Sequence, residues 1–308
     1  MSDAQLLCPV CGESDSVPRL AGLSDVNFGN YKGVGRLNEC LRCTAMYLDR
    51  NSMSVDPSVA YNKYYTAEKV KLTSKSRGGI FDLTKALVLK VLRGPYSRRG
   101  VTVHDSKVLD FGCGSFQFLV EILRIFPHLD LHGCDIGDVS NNCHRIKYHQ
   151  LPLDSYSGPS FSRITAGHVI EHMSCPDELF GSCLPHLATG GKIWIATPNK
   201  NSWIILVFGR YARDIDYPRH KILYSEDSLK LYAKAHNMQV IIRRGPKINE
   251  VLCSIQSFKN LYKVSNTGAR SVSIMVVSAI RSIFYILCAW STRRSAELVC
   301  EFTVAESK

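Results

Sequence analysis

Three groups of residues in this chain of 308 have the types and spacing to do chemistry. The first is Asp110-Phe-Gly112-Cys113-Gly114, at the end of the apolar run Lys107 to Asp110, followed by a second apolar stretch ending in Gly133-Cys-Asp135-Ile136. Glycines at such a turn let the backbone approach a ligand. An acidic residue roughly 20 positions on can accept from a pair of ribose hydroxyls. The second group is Cys8-Pro-Val-Cys11 and Cys40-Leu-Arg-Cys43, with Gly12 easing the first turn. Two such knuckles brought together make a tetrahedral four-sulfur zinc site, structural because four thiolates leave no open position. A redox role is the weaker alternative, since no βαβ pattern surrounds either pair. The third group is His168, Glu171 and His172, together with His220 in Asp216-Tyr-Pro-Arg219-His220. Histidine takes up a proton near neutral pH and suits a general base. Glu171 has two readings: orienting a histidine or contacting a substrate. Arg213 and Arg219 flank His220 and suit a phosphate or carboxylate. The plain alternatives are a structural hydrogen bond for His172, a solvated loop for His220 and ordinary surface charge for the arginines.

Elements that position these groups follow from periodicity. Strands are predicted at 107–111, 130–135, 162–168, 192–197 and 239–243, and helices at 116–126, 176–187 and 225–236. The last stretch, Glu297 to Val304, alternates like a strand near a sheet edge. Alternating strands and helices give an α/β fold, a doubly wound and mostly parallel sheet whose strand ends converge on one crevice. Residues 1–50 read as the zinc ribbon and 51–104 as a linker with N-terminal helices, including Ile80 to Leu92. Residues 105–308 read as the main domain, with an apolar helical insertion at about 255–292. The tyrosine-rich Tyr61-Asn-Lys-Tyr64-Tyr65 is either a lid or a packed linker.

Composition narrows the class further. The chain is 45% hydrophobic and 21% charged, ordinary for a soluble protein, but carries a net charge of +11. That excess favours an acidic partner: nucleic acid, a nucleotide sugar or an anionic membrane surface. Twelve cysteines, mostly in apolar segments, point to a reducing compartment, and no secretory pattern opens the sequence. A cytoplasmic location is expected. Val272 to Trp290 is apolar apart from small polar residues and Arg281. It reads as a docked helix, a helix lying on the inner membrane surface, or a span. Trp203 to Phe208 is a second apolar run that could join an exposed patch.

Taken together, these motifs resemble the class I S-adenosylmethionine-dependent methyltransferases. Asp110 to Gly114 is similar to that family's first motif and Gly133-Cys-Asp135 to its second. His168 to His172, Gly190-Gly-Lys-Ile and Thr197-Pro-Asn199 resemble later motifs of its small-molecule and sugar-modifying branches. The resemblance implies a seven-stranded Rossmann-like sheet and S-adenosyl-L-methionine as cofactor. Gly112, Cys113 and Gly114 would pass the methionine part and Asp110 would help anchor its amino group. Asp135 would accept from the ribose, Ile136 would pack on adenine, and His168 would face the sulfonium. Two positions depart from the pattern: Phe116 stands where a third glycine is usual, and Phe161-Ser162 replaces Phe-Asp. The missing third glycine also argues against a hydride-transferring Rossmann enzyme. Asp154 is a candidate of poor register for the adenine amino group.

The knuckles, Met46-Tyr-Leu and the tyrosine cluster also resemble a subgroup with a zinc ribbon ahead of a sugar-modifying core. The expected activity is O-methylation of a sugar hydroxyl in a nucleotide sugar, glycan or glycolipid, with His172, His220 and Glu171 as catalytic candidates. Two alternatives stand beside it: an RNA methyltransferase gripping RNA with its ribbon and basic surface, and a non-catalytic scaffold. The sequence leaves the oligomeric state open.

Overall fold

A computed structural model describes residues 7–53, 60, 94–137, 144–153, 156–158, 160–264, 280 and 292–305. The helix expected over 80–92, the segment 61–65, Asp154 and all of 272–290 except Ile280 lie outside the described residues.

The N-terminal strands are β1 (Ser16–Leu23), β2 (Gly35–Cys40) and β3 (Met46–Leu48), paired antiparallel in that order. Ahead of β1 and between β2 and β3, each cysteine knuckle closes through a left-handed residue, Gly12 at φ 73° and Thr44 at φ 62°. The amide of Gly12 donates to the Cys8 carbonyl and that of Thr44 to the Cys40 carbonyl. A strand from much later in the chain, β9 (Ile222–Leu223), extends this sheet by pairing with β3.

The main sheet has seven strands. β4 (Lys107–Phe111), β5 (Asp130–Asp135) and β6 (Ile146–Gln150) run outward in sequence order. The chain then returns to the other side of β4 with β7 (Phe161–Gly167) and β8 (Leu187–Pro198), and ends with β10 (Met238–Arg244) and β11 (Glu297–Val304). The spatial order is β10-β11-β8-β7-β4-β5-β6, parallel except where β11 joins β8 and β10. The reversal between β4 and β7 is the topological switch point, where open α/β sheets bind ligands. The final strand lies near the edge of the sheet, as its alternation suggests, with only β10 outside it. Leu298, Cys300 and Phe302 are buried and β10 covers its flank. The sequence reading misses β6, whose Lys-Tyr-His-Gln core is polar because it is the exposed edge.

Helix α1 (Gln117–Ile125) buries Phe118, Leu119 and Ile122, one face at the helical repeat. Helix α2 (Asp177–Cys183) ends sooner than expected, because Pro185 tightens the chain into a 3-10 turn over Leu184–His186. Helix α3 (Trp203–Phe208) corrects the sequence expectation of an exposed run. It is capped by Ser202 and buries Trp203, Ile204, Ile205 and Phe208 against Leu23, Leu37 and Met46 of the N-terminal sheet. Helix α4 (Glu226–Ala235) starts with a capping box of Ser225 and Ser228. Helix α5 (Lys247–Val264) fills the connection from β10 towards β11, beginning earlier than the insertion expected at about 255. No described helix is long and apolar enough to cross a membrane.

Cys8, Cys40 and Cys43 share one core cluster with Ile164, Ile195 and Leu229 of the main domain. The Ser225 hydroxyl also sits 2.8 Å from that of Thr44. The N-terminal sheet is thus docked onto the main sheet's core.

Candidate functional site

The glycine turn after β4 opens the crevice. Gly112 has φ 71°, and a Cβ there would meet Val169 Cγ2 at 2.6 Å, so both conformation and space require glycine. Gly114 has φ 49° and its amide donates to Asp135 Oδ2 at 2.8 Å. Asp135 Oδ1 accepts from the Ile136 amide at 2.7 Å. Its buried carboxylate therefore ties the end of β5 to the turn after β4, where the sequence places a ribose partner. Ile136 is 59% exposed beside it, available to pack on a flat ring.

Phe116 stands where a third glycine is usual. Phe116 takes the left-handed conformation, φ 60° and ψ 7°. Its ring turns into the core, edge-on to Tyr148 with centroids 5.7 Å apart, over Gly133. A Cβ on Gly133 would lie 2.8 Å from Phe116 Cε1. The small residue that close packing needs has moved to β5. Left-handed strain in a non-glycine residue costs about 1–2 kcal/mol, which burial of an aromatic ring offsets.

Asp110 is buried and does not face the crevice alone. Its Oδ1 accepts from Arg99 Nη1 at 2.5 Å and from the Thr165 hydroxyl at 2.7 Å. Burial raises its pKa, opposed by the Arg99 guanidinium. Arg99 also lies over the Phe118 ring at 4.2 Å. With Cys113, Gly114 and Ser115 it lines a recess of about 350 Å³ at the turn. This residue was missed because nothing in the sequence marks an arginine placed before the first strand as its end's partner. Asp110 thus bears on the recess through Arg99.

The histidine groups meet around a larger cavity of about 670 Å³ at the same strand edge. His168 follows β7 at φ 58°. Its Nε2 lies 2.6 Å from Glu297 at the start of β11, and its Nδ1 lies 3.3 Å from Glu171. Burial alone would lower its pKa, but the carboxylates of Glu297 and Glu171 prevail and raise it to about 10. His168 is consequently a fixed cation near neutral pH. Glu171 is completely buried and accepts from the Thr197 hydroxyl at 3.0 Å. Burial would raise its pKa, but His168 holds it down at about 2. Of the two sequence readings, the structure supports orientation of a histidine; enclosure removes Glu171 from direct contact with an acceptor.

His168 binds its proton more tightly in the folded protein than the ordinary value of 6.5. Its stabilising share is complete below that pH and is lost as pH rises through about 10. Glu171 contributes fully above its ordinary 4.5 and loses its share as pH falls towards about 2. Thermal melting is therefore expected to show this triad's full contribution between about pH 4.5 and 6.5 and an alkaline decline. His168→Gln is expected to flatten that decline; an unchanged alkaline slope would remove the triad as its source.

His172 and His220 face each other, ring centroids 4.7 Å apart at 70°. His172 Nδ1 is 3.1 Å from the Arg219 carbonyl and His220 Nδ1 is 2.7 Å from the Asp214 carbonyl. A carbonyl only accepts, so each Nδ1 carries the hydrogen and each Nε2 the lone pair. Burial and the neighbouring His220 lower the His172 pKa to about 4, keeping that ring neutral. Glu171, His172 and His220 each offer a ligand atom, all within 4.8 Å of one another, close enough to hold a divalent cation.

Arg219 is not available to a substrate anion, contrary to one sequence reading. It is completely buried, with Nη2 at 2.6 Å from Asp25 Oδ1 and 2.8 Å from Asp216 Oδ1. Arg213 remains half-exposed at the cavity.

The four cysteines also converge. Cys8 and Cys43 sulfurs are 3.5 Å apart, Cys11 and Cys40 sulfurs 3.6 Å, and all four lie within 4.8 Å of one another. Zinc bound tetrahedrally by thiolates spaces its sulfurs by about 3.8 Å, so the set fits such an ion. A hydrogen bond from Cys43 holds Cys8 down at about 5, while the same contact and burial push Cys43 up. Crowded thiols cannot all ionise without a cation, and a divalent ion would resolve that conflict.

Comparison with known proteins bears on this arrangement. The matching family is described as "Methyltransferase domain" and covers residues 76–242. A ubiquinone biosynthesis O-methyltransferase of Nitrosococcus oceani is 26% identical over 132 residues, 38% of this chain and 55% of that one. One from Psychrobacter cryohalolentis is 26% identical over 119 residues, 33% of this chain and 46% of that one. The match thus spans about half the length of these curated relatives. Among solved structures, the plantazolicin methyltransferase BpumL, in complex with a triazolic desmethylPZN analog and SAH, aligns at TM-score 0.45 and 15% identity. That alignment covers 74% of this chain and 90% of that one. With the glycine turn and Asp135 set at the switch point of a seven-stranded sheet, and the family match spanning more than half its length, the chain belongs to the methyltransferase-domain family.

Proposed function

We propose that the protein transfers a methyl group from S-adenosylmethionine to a hydroxyl, with a sugar hydroxyl as the favoured acceptor. The observation that carries this reading is the facing pair His172 and His220. Both rings are held as Nδ1 tautomers at the large cavity, with Nε2 as the proton-accepting atom. When bound, the cofactor supplies an electrophilic methyl group on its sulfonium, so the protein's tasks are to orient the acceptor and take its proton. Asp135 would accept from the ribose hydroxyls, Gly112, Cys113 and Gly114 would admit the methionine portion, and Arg99 would neutralise its carboxylate. His220 is the base of this reading. Asp216 Oδ2, 4.0 Å from His220 Nε2, would stabilise the cation formed on proton uptake.

Two further observations support an oxygen acceptor in a polar molecule. The curated relatives named above are O-methyltransferases. Amide and carboxylate side chains of Asn249, Gln256, Asp216 and Glu297 line the cavity and suit a hydroxyl-rich acceptor better than an apolar one. Structural zinc at Cys8, Cys11, Cys40 and Cys43 belongs to the same reading.

The test follows labelled methyl from S-adenosylmethionine into lipid, glycan, RNA and protein fractions. Label is expected in the glycan or glycolipid fraction. Asp135→Ala is expected to lose that label and to weaken S-adenosylhomocysteine binding by about a hundredfold, equal to about 2.7 kcal/mol. Label in RNA would overturn the acceptor assignment, and absence of S-adenosylhomocysteine binding to the unaltered protein would overturn the whole reading.

A further inference from the structure

Part of the wall of the large cavity comes from ahead of the matched domain, which covers residues 76–242. It is the loop between β1 and β2, residues 24–34. Asn27 and Phe28 from this loop line the cavity together with His168, His172 and His220.

The loop is built to stand there. Asp25 is buried, and its carboxylate accepts from the amides of Phe28 at 3.1 Å, Asn30 at 2.9 Å and Tyr31 at 3.2 Å. The same carboxylate takes two hydrogen bonds from Arg219, at 2.6 and 3.1 Å. Asn27 is held on both faces of its amide. Its Nδ2 donates to Asp216 Oδ1 at 2.6 Å and to the Arg213 carbonyl at 2.9 Å, while its Oδ1 accepts from Asn260 at 2.7 Å. Phe28, by contrast, is 54% exposed. One face of its ring lies 4.4 Å from the Arg219 guanidinium carbon. A large ring held in place by a buried cation, yet still open at the edge of a polar cavity, is an unusual use of an aromatic side chain. Its cost in exposed apolar surface is recovered when a ligand covers it.

We propose that this loop is an acceptor-binding element, in which Phe28 presents its ring to the apolar C–H face of a sugar and Asn27 positions it. The cysteine-rich subdomain then selects the acceptor, while the β4 and β5 ends hold the cofactor. The proposal rests on the acceptor reading given above. It goes beyond it by assigning specificity to residues that the methyltransferase match does not include.

The experiment uses the full chain with UDP-glucose, dTDP-rhamnose and GDP-mannose as sugar probes and catechol as the non-sugar probe. Phe28→Ala is expected to raise KM for the accepted sugar probe about tenfold, equal to about 1.4 kcal/mol. Its kcat, its melting temperature and its affinity for S-adenosylhomocysteine by calorimetry should stay near those of the unaltered protein. In Phe28→Trp, indole emission is expected to shift on addition of the same sugar probe. An unchanged KM in Phe28→Ala overturns the proposal, as does loss of S-adenosylhomocysteine binding, which would mark the loop as merely structural. An indole that responds to catechol alone, or to no sugar probe, also overturns it. If the indole responds to a sugar but the protein binds no S-adenosylhomocysteine, the loop assignment stands and the methyl-transfer reading falls.

Discussion

Arg219→Leu is expected to destabilise the protein by about 3–5 kcal/mol, the cost of leaving buried carboxylates without their partner. Arg219 and Asp25 side chains are both fully enclosed, and Asp216 is 7% exposed. Arg219 reaches both carboxylates with paired hydrogen bonds, Nη1 and Nη2 to Asp25 and Nε and Nη2 to Asp216. The guanidinium holds both carboxyls below their ordinary pKa against the opposing effect of burial. Leucine fills the volume but leaves two buried carboxyl groups facing each other without their cation. Arg219→Lys is expected to recover only part of the loss, because a point charge cannot bridge two carboxylates as a planar fork does. Urea unfolding followed by circular dichroism measures both, and a loss under about 1 kcal/mol for Arg219→Leu would show that the clamp is not stabilising. The consequence extends beyond stability. The Arg219 carbonyl holds His172 Nδ1, and the Asp25 end of the clamp holds the β1–β2 loop, so one side chain joins the N-terminal sheet to the histidine pair.

His220→Ala is expected to lower kcat by about 10²–10⁴, the range for loss of a general base. S-adenosylhomocysteine affinity should be retained, since His220 lies among the residues of the large cavity and not at the glycine turn. His172→Ala is the informative companion. With its pKa at about 4, His172 is already neutral, and its ring packs edge-on against His220. A smaller loss is expected there, through orientation of its neighbour. A full loss in His172→Ala together with an active His220→Ala would reverse the two roles. Single-turnover transfer at saturating cofactor separates these outcomes from effects on binding.

Much of the sheet was legible because its buried strands carry apolar residues between turns: Val108 and Leu109 in β4, Leu131 and Cys134 in β5. The missed pieces are those whose residues do not advertise their partners. The polar edge strand β6 and the two-residue β9 owe their conformation to strands already present. Trp203 to Phe208 looked like surface because the sheet that covers it lies 150 and more residues earlier in the chain. Likewise, Arg213 and Arg219 are six residues apart in one loop with similar surroundings in sequence. One is sealed between two carboxylates and the other half-exposed, a difference made by Asp25 from the N-terminal sheet.

Sequence by itself determined the chemistry available: four cysteines in two knuckles, a glycine turn with an acidic residue one βαβ step later, and histidines at the ends of later segments. Those features are local, since a tight turn, a strand end or a pair of thiolates is specified by residues within a few positions. Tertiary structure alone decided which of them act together. It turned Phe116 into the core over Gly133, enclosed Glu171 and made His168 a fixed cation between two carboxylates. It also carried Phe28 across to the cavity of His172 and His220. Burial and charge pairing are properties of the packed molecule, because they depend on which distant residues exclude water from a group and which charge then faces it.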